Sequence, residues 1–225
     1  DFLKTPDCFY FFVKSANDRE KLRIAGHDIR QQLPKNAEQI YLFGDKKELL
    51  FLAEGIALSN YQFIKYFKNA EEKEYQLKSI FLQEDVEDAD INELNNTLKA
   101  VFWARNMVNE PVSYLTASKL SEEIEALASD ATLTVEVLEK TKIESLKMGG
   151  LLAVNKGSLD PPTFTIIEYK PKKPINKKPI VLVGKGVVYD TGGLSLKPTK
   201  NSMDSMKSDM GGAACVAGAI YASAL

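Results

Sequence analysis

The sequence predicts an α/β protein in two parts, because short apolar runs alternate with amphipathic segments and one long helical segment divides the chain. In the first part, strand-like runs alternate with helical patterns, which favours a layered α/β unit over residues 1–87. The strands predicted there are 8–13, 39–43 and 76–82. The helices predicted there are 18–33 and 48–68, and the second carries an apolar stripe.

Residues 88–109 are predicted to form one long linking helix. Ile91, Leu94 and Leu98 recur at helical spacing, and the acidic block 84–90 lies where negative charge favours the helix dipole. The proline at position 111 ends the pattern. We therefore predict a domain over 1–87, a linking helix over 88–109 and a second domain over 110–225.

The second domain should also mix helices and strands. Its predicted elements are a helix at 116–129, strands at 132–138, 163–169 and 179–183, and a helix of small residues from 210 to the end. That last helix has no capping residue after it, so we expect the polypeptide to continue beyond Leu225.

Composition excludes several classes of function. The formal net charge is −2, and neither half has the basic excess that binds nucleic acid. No apolar run approaches the ~18 residues of a membrane span. Cys8 and Cys215 are too few for a disulfide framework and are predicted to be small core residues in a reducing compartment. With His27 as the one histidine, a catalytic metal would have to use carboxylates, lysine and backbone oxygen.

Charged residues stand out in a glycine-rich segment near the end of the chain. Lys185, Asp190, Lys197 and Asp209 lie among small and apolar residues, where charges need partners. A divalent cation would supply them, with aspartates as oxygen ligands and one lysine binding through its neutral amine. A structural ion pair between Lys185 and Asp190 is an equally good interpretation. A phosphate loop is disfavoured, because the glycine spacing matches neither common phosphate-binding motif.

Four motifs in this half resemble one known family. The segments VGKGVVYDTGGLSLKP at 183–198 and MDSMKSDMGGAA at 203–214 are similar to the signature of the leucyl aminopeptidase (cytosol aminopeptidase) family. RNMVNEP at 105–111 and MGGLLAVNKG at 148–157 resemble two further stretches of that family. The resemblance implies that residues 110–225 are the first part of an α/β metallo-aminopeptidase catalytic domain, behind an N-terminal α/β accessory domain.

The resemblance also implies roles for individual residues. Lys185, Asp190 and Asp209 match metal ligands, Lys197 matches the lysine that polarises the scissile carbonyl, and Met206 matches a residue that lines the pocket for the first substrate side chain. The implied reaction is removal of leucine-like N-terminal residues from peptides, assisted by two divalent metal ions: zinc or manganese, with magnesium or cobalt as alternatives. The implied setting is a cytoplasmic homo-hexamer.

One motif of the family is absent from these residues. The NTDAEGR stretch would supply further metal ligands and an arginine that holds bicarbonate, so a bicarbonate site is expected only in a longer chain. We expect the 225 residues alone to be inactive. An alternative hypothesis is a non-catalytic binding or regulatory relative that uses its N-terminal α/β domain. Strong nucleotide binding without metal affinity would favour that alternative.

Overall fold

The computed structural model describes residues 2–5, 8–83 and 86–225. Positions 84 and 85 of the predicted acidic block lie outside the described residues. The chain forms two compact units, Asp1–Leu98 and Lys99–Leu225, and the α/β fold class is confirmed. No helix in the described part of the chain is long and apolar enough to cross a membrane.

The first unit contains a β-α-β crossover. Strand β3 (Gln39–Leu42) runs parallel to β4 (Ser79–Leu82), and helices α2 (Lys46–Asn60) and α3 (Ala70–Lys73) connect the two strands. Parallel strands need such a helical connection, which explains the alternation seen in the sequence. The remaining elements are β1 (Phe2–Lys4), its antiparallel partner β2 (Phe9–Phe11), and helix α1 (Arg19–Gln32).

One face of α2 forms the core of the first unit. Leu49, Leu52 and Ile56 recur at helical spacing and are buried, and Ile56 is 0% exposed. They pack with Ile29 of α1 and Leu42 of β3 in one apolar cluster. The predicted apolar stripe is therefore present over the first part of the predicted helix.

Helix α2 occupies 46–60 rather than the predicted 48–68. It begins earlier because the Asp45 side chain caps it by accepting hydrogen bonds from the amides of residues 47 and 48. It ends earlier because polar side chains at its end bond the segment before β4. Asn60 donates to the Leu77 carbonyl at 3.0 Å, and Gln62 accepts from the Tyr75 amide at 2.7 Å. Local periodicity does not register these tertiary bonds.

The long helix α4 (Asp88–Asn109) has the predicted bounds. The division between the two units falls inside it, after Leu98. The domain limits placed at 87 and 110 remain predictions.

The second unit is built around an antiparallel strand pair. Strands β5 (Leu133–Leu138) and β6 (Phe164–Tyr169) are paired along their whole length, close to their predicted positions. Helix α5 (Ala117–Ser129) is linked to the start of β6 by its buried Ser121. The Ser121 hydroxyl contacts those of Thr163 and Thr165 at 2.8 and 2.9 Å. The other elements are α6 (Lys140–Ser145), α7 (Gly149–Asn155), a 3-10 helix (Met203–Ser208) and α8 (Gly211–Ala224).

Helix α8 is the predicted small-residue helix, and it buries one face. Ala214, Ala217, Gly218 and Tyr221 lie on that face, at spacings of three and four residues. The prediction that the cysteines are core residues is wrong, since Cys8 and Cys215 are both exposed. On α8 the reason is geometric, because position 215 lies off the buried face.

The prediction of a strand at 179–183 is also wrong. Its apolar side chains are exposed, with Val181 at 75% and Val183 at 88%. A strand requires a neighbour to bond its backbone. Among the described residues, the sheets contain β1 to β6 and none of them pairs with this segment.

The end of α5 is tied to α8 by a charged hydrogen-bond group. The Tyr221 hydroxyl donates to the Asp130 carboxylate at 2.7 Å, and the ammonium of Lys99 pairs with the same carboxylate. Hydrogen bonds from Lys99 and then from Tyr221 lower the pKa of Asp130. This carboxylate therefore stabilises the folded state while it is ionised.

We expect Ile56→Ala to lower the free energy of unfolding by about 2–5 kcal/mol, because it leaves a cavity at a fully buried site. Urea denaturation followed by circular dichroism measures the change. The matched control is Ile24→Ala on α1, where the side chain is 52% exposed and the expected change is under about 0.5 kcal/mol. Equal effects at the two positions would contradict the described core.

We expect Asp130→Asn to be destabilising at neutral pH and to lose that effect in acid. The lowered pKa of Asp130 means that its stabilisation is complete above the ordinary carboxyl pKa of about 4 and disappears as pH falls through the folded-state value. Thermal unfolding of both proteins between neutral and acidic pH measures this. A difference that stays constant with pH would contradict the assignment.

Candidate metal centre

The residues predicted to bind metal and substrate lie on one stretch of chain that ends at α8. Lys185 follows the exposed segment 179–183, and Asp190 and Lys197 lie in the loop after it. Met206 is on the 3-10 helix, and Asp209 stands between that helix and α8. The structure brings these residues together in pairs.

Lys185 and Asp209 form the first pair. The Lys185 ammonium donates to Asp209 Oδ1 at 2.8 Å, and the Asp209 side chain is 17% exposed. The backbone is held as well, because the Ala213 amide donates to the Lys185 carbonyl at 2.9 Å. Gly184 makes this approach possible, since a Cβ there would lie 2.6 Å from the Ala213 Cα. The first turn of α8 thus fixes the backbone beside Lys185.

Asp190 and Lys197 form the second pair, across a tight loop. The Lys197 ammonium donates to Asp190 Oδ2 at 2.8 Å, while Asp190 Oδ1 accepts from the Gly192 amide at 2.8 Å. Gly192 has φ +87°, and a Cβ there would lie 2.3 Å from the Ser195 carbonyl oxygen. The turn therefore requires glycine at this position.

Met206 contacts the second pair. Its sulfur lies 3.2 Å from the Lys197 ammonium nitrogen. The 3-10 helix that carries Met206 is held by Tyr189, whose hydroxyl donates to the Met203 carbonyl at 2.8 Å. The residues predicted for carbonyl polarisation and for the side-chain pocket are therefore neighbours in space.

The two pairs influence each other electrostatically. The hydrogen bond to Asp209 raises the pKa of Lys185, and the charge of Asp190 adds to that shift. The hydrogen bonds from Lys197 and then from the Gly192 amide lower the pKa of Asp190. Two cations and two anions thus form one cluster. The sequence left open an ion pair between Lys185 and Asp190, but each is paired with a different partner.

One atom of this cluster favours a cation. Asp209 Oδ2 is buried and has no hydrogen-bond partner in the described part of the chain. A buried carboxylate oxygen without a partner is destabilising, and a divalent cation would satisfy it. The ligand set is nevertheless short, since no group of three or more His, Cys, Asp or Glu side chains that could hold a metal occurs among the described residues. These residues fit a cation that takes further ligands from elsewhere.

Sequence reasoning missed two residues that hold the site together. Tyr189 supports the 3-10 helix, as described above. Lys207 donates from its ammonium to the carbonyls of Val108 and Asn109, each at 2.9 Å. Both residues lie inside the motifs quoted above. The motif letters do not reveal their contacts, and that of Lys207 spans about a hundred positions.

The fold and this loop define an α/β protein with a lysine and aspartate cluster beside a helix N-terminus. The chain belongs to the cytosol aminopeptidase family, since the model of that family's catalytic domain matches residues 102–225. This match confirms the family that the motifs predicted. The individual roles of the site residues remain predictions.

Curated relatives carry the same family name. The probable cytosol aminopeptidase of Chlorobaculum parvum is 54% identical over 121 residues, which are 54% of this chain and 24% of the relative. The one of Bacillus subtilis is 40% identical over 176 residues, covering 75% of this chain and 34% of the relative. The chain thus spans about a quarter to a third of the length of these relatives.

Solved structures extend the likeness to the first unit. The bottromycin maturation enzyme BotP in complex with Mn has a TM-score of 0.78 at 30% identity, covering 91% of this chain and 44% of that one. The cytosol aminopeptidase from Coxiella burnetii has a TM-score of 0.75 at 26% identity, covering 91% and 42%. Because the second unit holds little more than half of the residues, a match over 91% includes most of the first unit.

We expect Gly192→Ala to lower the free energy of unfolding by about 1–3 kcal/mol, because a methyl group at this position strains the turn and meets the Ser195 carbonyl. Urea denaturation measures the change. Gly186→Ala is the control, since its Cβ would lie 3.5 Å from the Ala213 methyl group, an ordinary contact. A tolerated Gly192→Ala would show that the loop has another conformation.

Proposed function

We propose that this chain is part of a metal-dependent aminopeptidase that removes apolar N-terminal residues from peptides. The observation that carries the proposal is the Asp209 carboxylate, which presents a buried oxygen without a partner next to Lys185. It lies in the segment that matches the family's catalytic domain. The shared names of the curated relatives support the reaction class.

Lys185, Asp190 and Asp209 would hold the metal. Asp209 offers its free oxygen, and Asp190 offers the oxygen that now accepts from Lys197. Lys185 would bind through its neutral amine, so its ammonium must give up a proton that Asp209 helps to retain. Bound divalent cations would supply Lewis acidity and lower the pKa of the attacking water.

We propose two divalent ions, with the remaining ligands and a bicarbonate site supplied by parts of the protein beyond these residues. The relative solved in complex with Mn supports manganese as one of them. Zinc is the other principal choice, and magnesium and cobalt are alternatives.

Lys197 would polarise the scissile carbonyl. Its side chain is 28% exposed and so partly accessible to a substrate, and Asp190 holds its ammonium while no metal is bound. An ammonium in this place would donate a hydrogen bond to the carbonyl oxygen and stabilise the negative charge that develops there. Met206, in contact with Lys197, would line the pocket for the apolar side chain.

The family resemblance supports a proposal for the setting of the enzyme. We propose peptides as substrates, a homo-hexamer as the assembly and the cytoplasm as the location. The words "cytosol aminopeptidase" in the names of the relatives support the last of these.

A non-catalytic binding relative is the second candidate. The short ligand set of the described residues favours it, because two carboxylates and a lysine form an incomplete metal site. The two candidates differ in a direct observable, which is manganese binding.

The test is a calorimetric titration of Mn²⁺ into a polypeptide of the relatives' length that contains these residues, as the wild type and as the Asp209→Asn and Lys197→Ala variants. We expect Asp209→Asn to weaken binding at least about tenfold, because it removes the carboxylate with the free oxygen. We expect Lys197→Ala to keep its affinity. Lys200→Ala, at an exposed position, is the charge-matched control for Lys197→Ala. Absence of Mn²⁺ binding together with nucleotide binding would favour the second candidate.

The catalytic role is tested in a polypeptide of the relatives' length that contains these residues. We expect Lys197→Ala to lower kcat for leucine amide by about 100-fold to 1000-fold, which is the usual cost of losing an oxyanion donor. Normal turnover in that variant would show that Lys197 does not polarise the carbonyl.

A further inference from the structure

The 3-10 helix Met203–Ser208 carries one predicted site residue and leads directly into another. Met206 lies on it, and Asp209 follows it, with the Asp209 amide donating to the Met206 carbonyl at 3.1 Å. A six-residue 3-10 helix has poor hydrogen-bond geometry and is weakly stable by itself. Its position must therefore come from contacts with the rest of the unit.

Lys207 supplies such a contact at the C-terminal end of α4. The last carbonyls of a helix lack partners within the helix. In α4, the Glu110 amide bonds those of Asn106 and Met107, at 3.0 and 3.3 Å. The two remaining carbonyls, at positions 108 and 109, both accept from the Lys207 ammonium.

The charge of Lys207 suits this location. A helix C-terminus carries partial negative charge, and a cation there is stabilised. The Lys207 side chain is partly buried, so water screens the interaction incompletely. The Lys207 ammonium thus caps the C-terminus of α4 and connects the 3-10 helix to it.

The Lys207 contact bears on the site because Met206 and Asp209, which lie on either side of Lys207 in the chain, both contact site residues. Met206 contacts the Lys197 ammonium at 3.2 Å, and the Asp209 carboxylate contacts the Lys185 ammonium at 2.8 Å. Met210 continues the chain into the core and is 0% exposed. A shift of the 3-10 helix along α4 would therefore move the Met206 sulfur and the Asp209 carboxylate together.

We propose that Lys207 is a positioning residue that sets the places of Met206 and Asp209 by capping α4. The hydrogen-bond partners described for its side chain are both backbone carbonyls. The metal-binding part of this inference rests on the proposed function. The part that concerns Met206 does not.

The first measurement is independent of metal. With ¹³C-methyl methionine in the complete 225-residue chain, we expect Lys207→Met to shift the Met206 methyl resonance clearly more than that of the fully buried Met210. The new methionine is assigned by its absence from the wild type. Lys200→Met, at an exposed lysine in the adjacent turn, should leave the Met206 resonance in place.

The conservative variant tests whether a cationic hydrogen-bond donor at this position is sufficient. Lys207→Arg keeps several N–H donors and should return the Met206 resonance close to its wild-type position. All spectra are recorded well below the thermal midpoint of each variant, so that a loss of stability is not read as a loss of position. An unchanged Met206 resonance in folded Lys207→Met would overturn the proposal.

The second measurement is the same calorimetric Mn²⁺ titration, in the polypeptide of the relatives' length. We expect Lys207→Met to weaken binding by about tenfold and Lys207→Arg to restore it, as for residues that orient a metal ligand. Wild-type affinity in Lys207→Met would overturn the role toward Asp209. If the wild type itself binds no Mn²⁺, the proposed function fails, and the methyl resonance alone decides the role of Lys207.

Discussion

Docking of α8 against its neighbours is the interaction on which the second unit depends. Tyr221 and Met210 are both 0% exposed near opposite ends of this helix. Small side chains let it come close to α4, where the Cβ position of Gly218 lies 3.2 Å from the Ala100 carbonyl oxygen. Close packing of this kind tolerates little displacement. Because Asp209 directly precedes Met210, the packing of α8 fixes the chain on the C-terminal side of this carboxylate.

A second constraint is the balance of charge beside that helix. Lys185 and Lys197 each satisfy one aspartate, so the cluster is neutral without any added ion. Pairing offsets part of the desolvation cost of these partly buried charges. It leaves the Asp209 Oδ2 atom as the exception, and a further cation would satisfy the cluster at this atom. The same ammonium groups would then compete with that cation for the carboxylates.

The first unit is held by different means. Among its described residues, the core is the apolar face of α2 against α1 and the parallel strands. Parallel sheets are normally covered on both faces. Here the outer face carries Tyr41 stacked on Phe81, with ring centroids 4.8 Å apart, and both rings are exposed. The likeness to the solved cytosol aminopeptidase from Coxiella burnetii over 91% of the chain shows that most of this unit shares that fold.

The amino-acid sequence by itself determined the elements that local periodicity controls, such as α4, and the family, through ordered motifs between 105 and 214. It also named five residues that the structure brings into two ion pairs and a contact between Met206 and Lys197. It did not determine where α2 ends, because Asn60 and Gln62 bond a distant segment. The strand expected at 179–183 failed for the opposite reason, since an apolar run becomes a strand only where a neighbour bonds its backbone.

The pairing of charges was also beyond the sequence. Lys185 had three aspartates in the two motifs with which to pair, Asp190, Asp204 and Asp209, and residue types alone do not rank them. Only the tertiary structure decided that Lys185 pairs with Asp209, because the first turn of α8 holds the Lys185 backbone. Helix caps such as Lys207 were decided in the same way. A hydrogen bond depends on distance in space, and positions that are about a hundred residues apart become neighbours only when the helices pack.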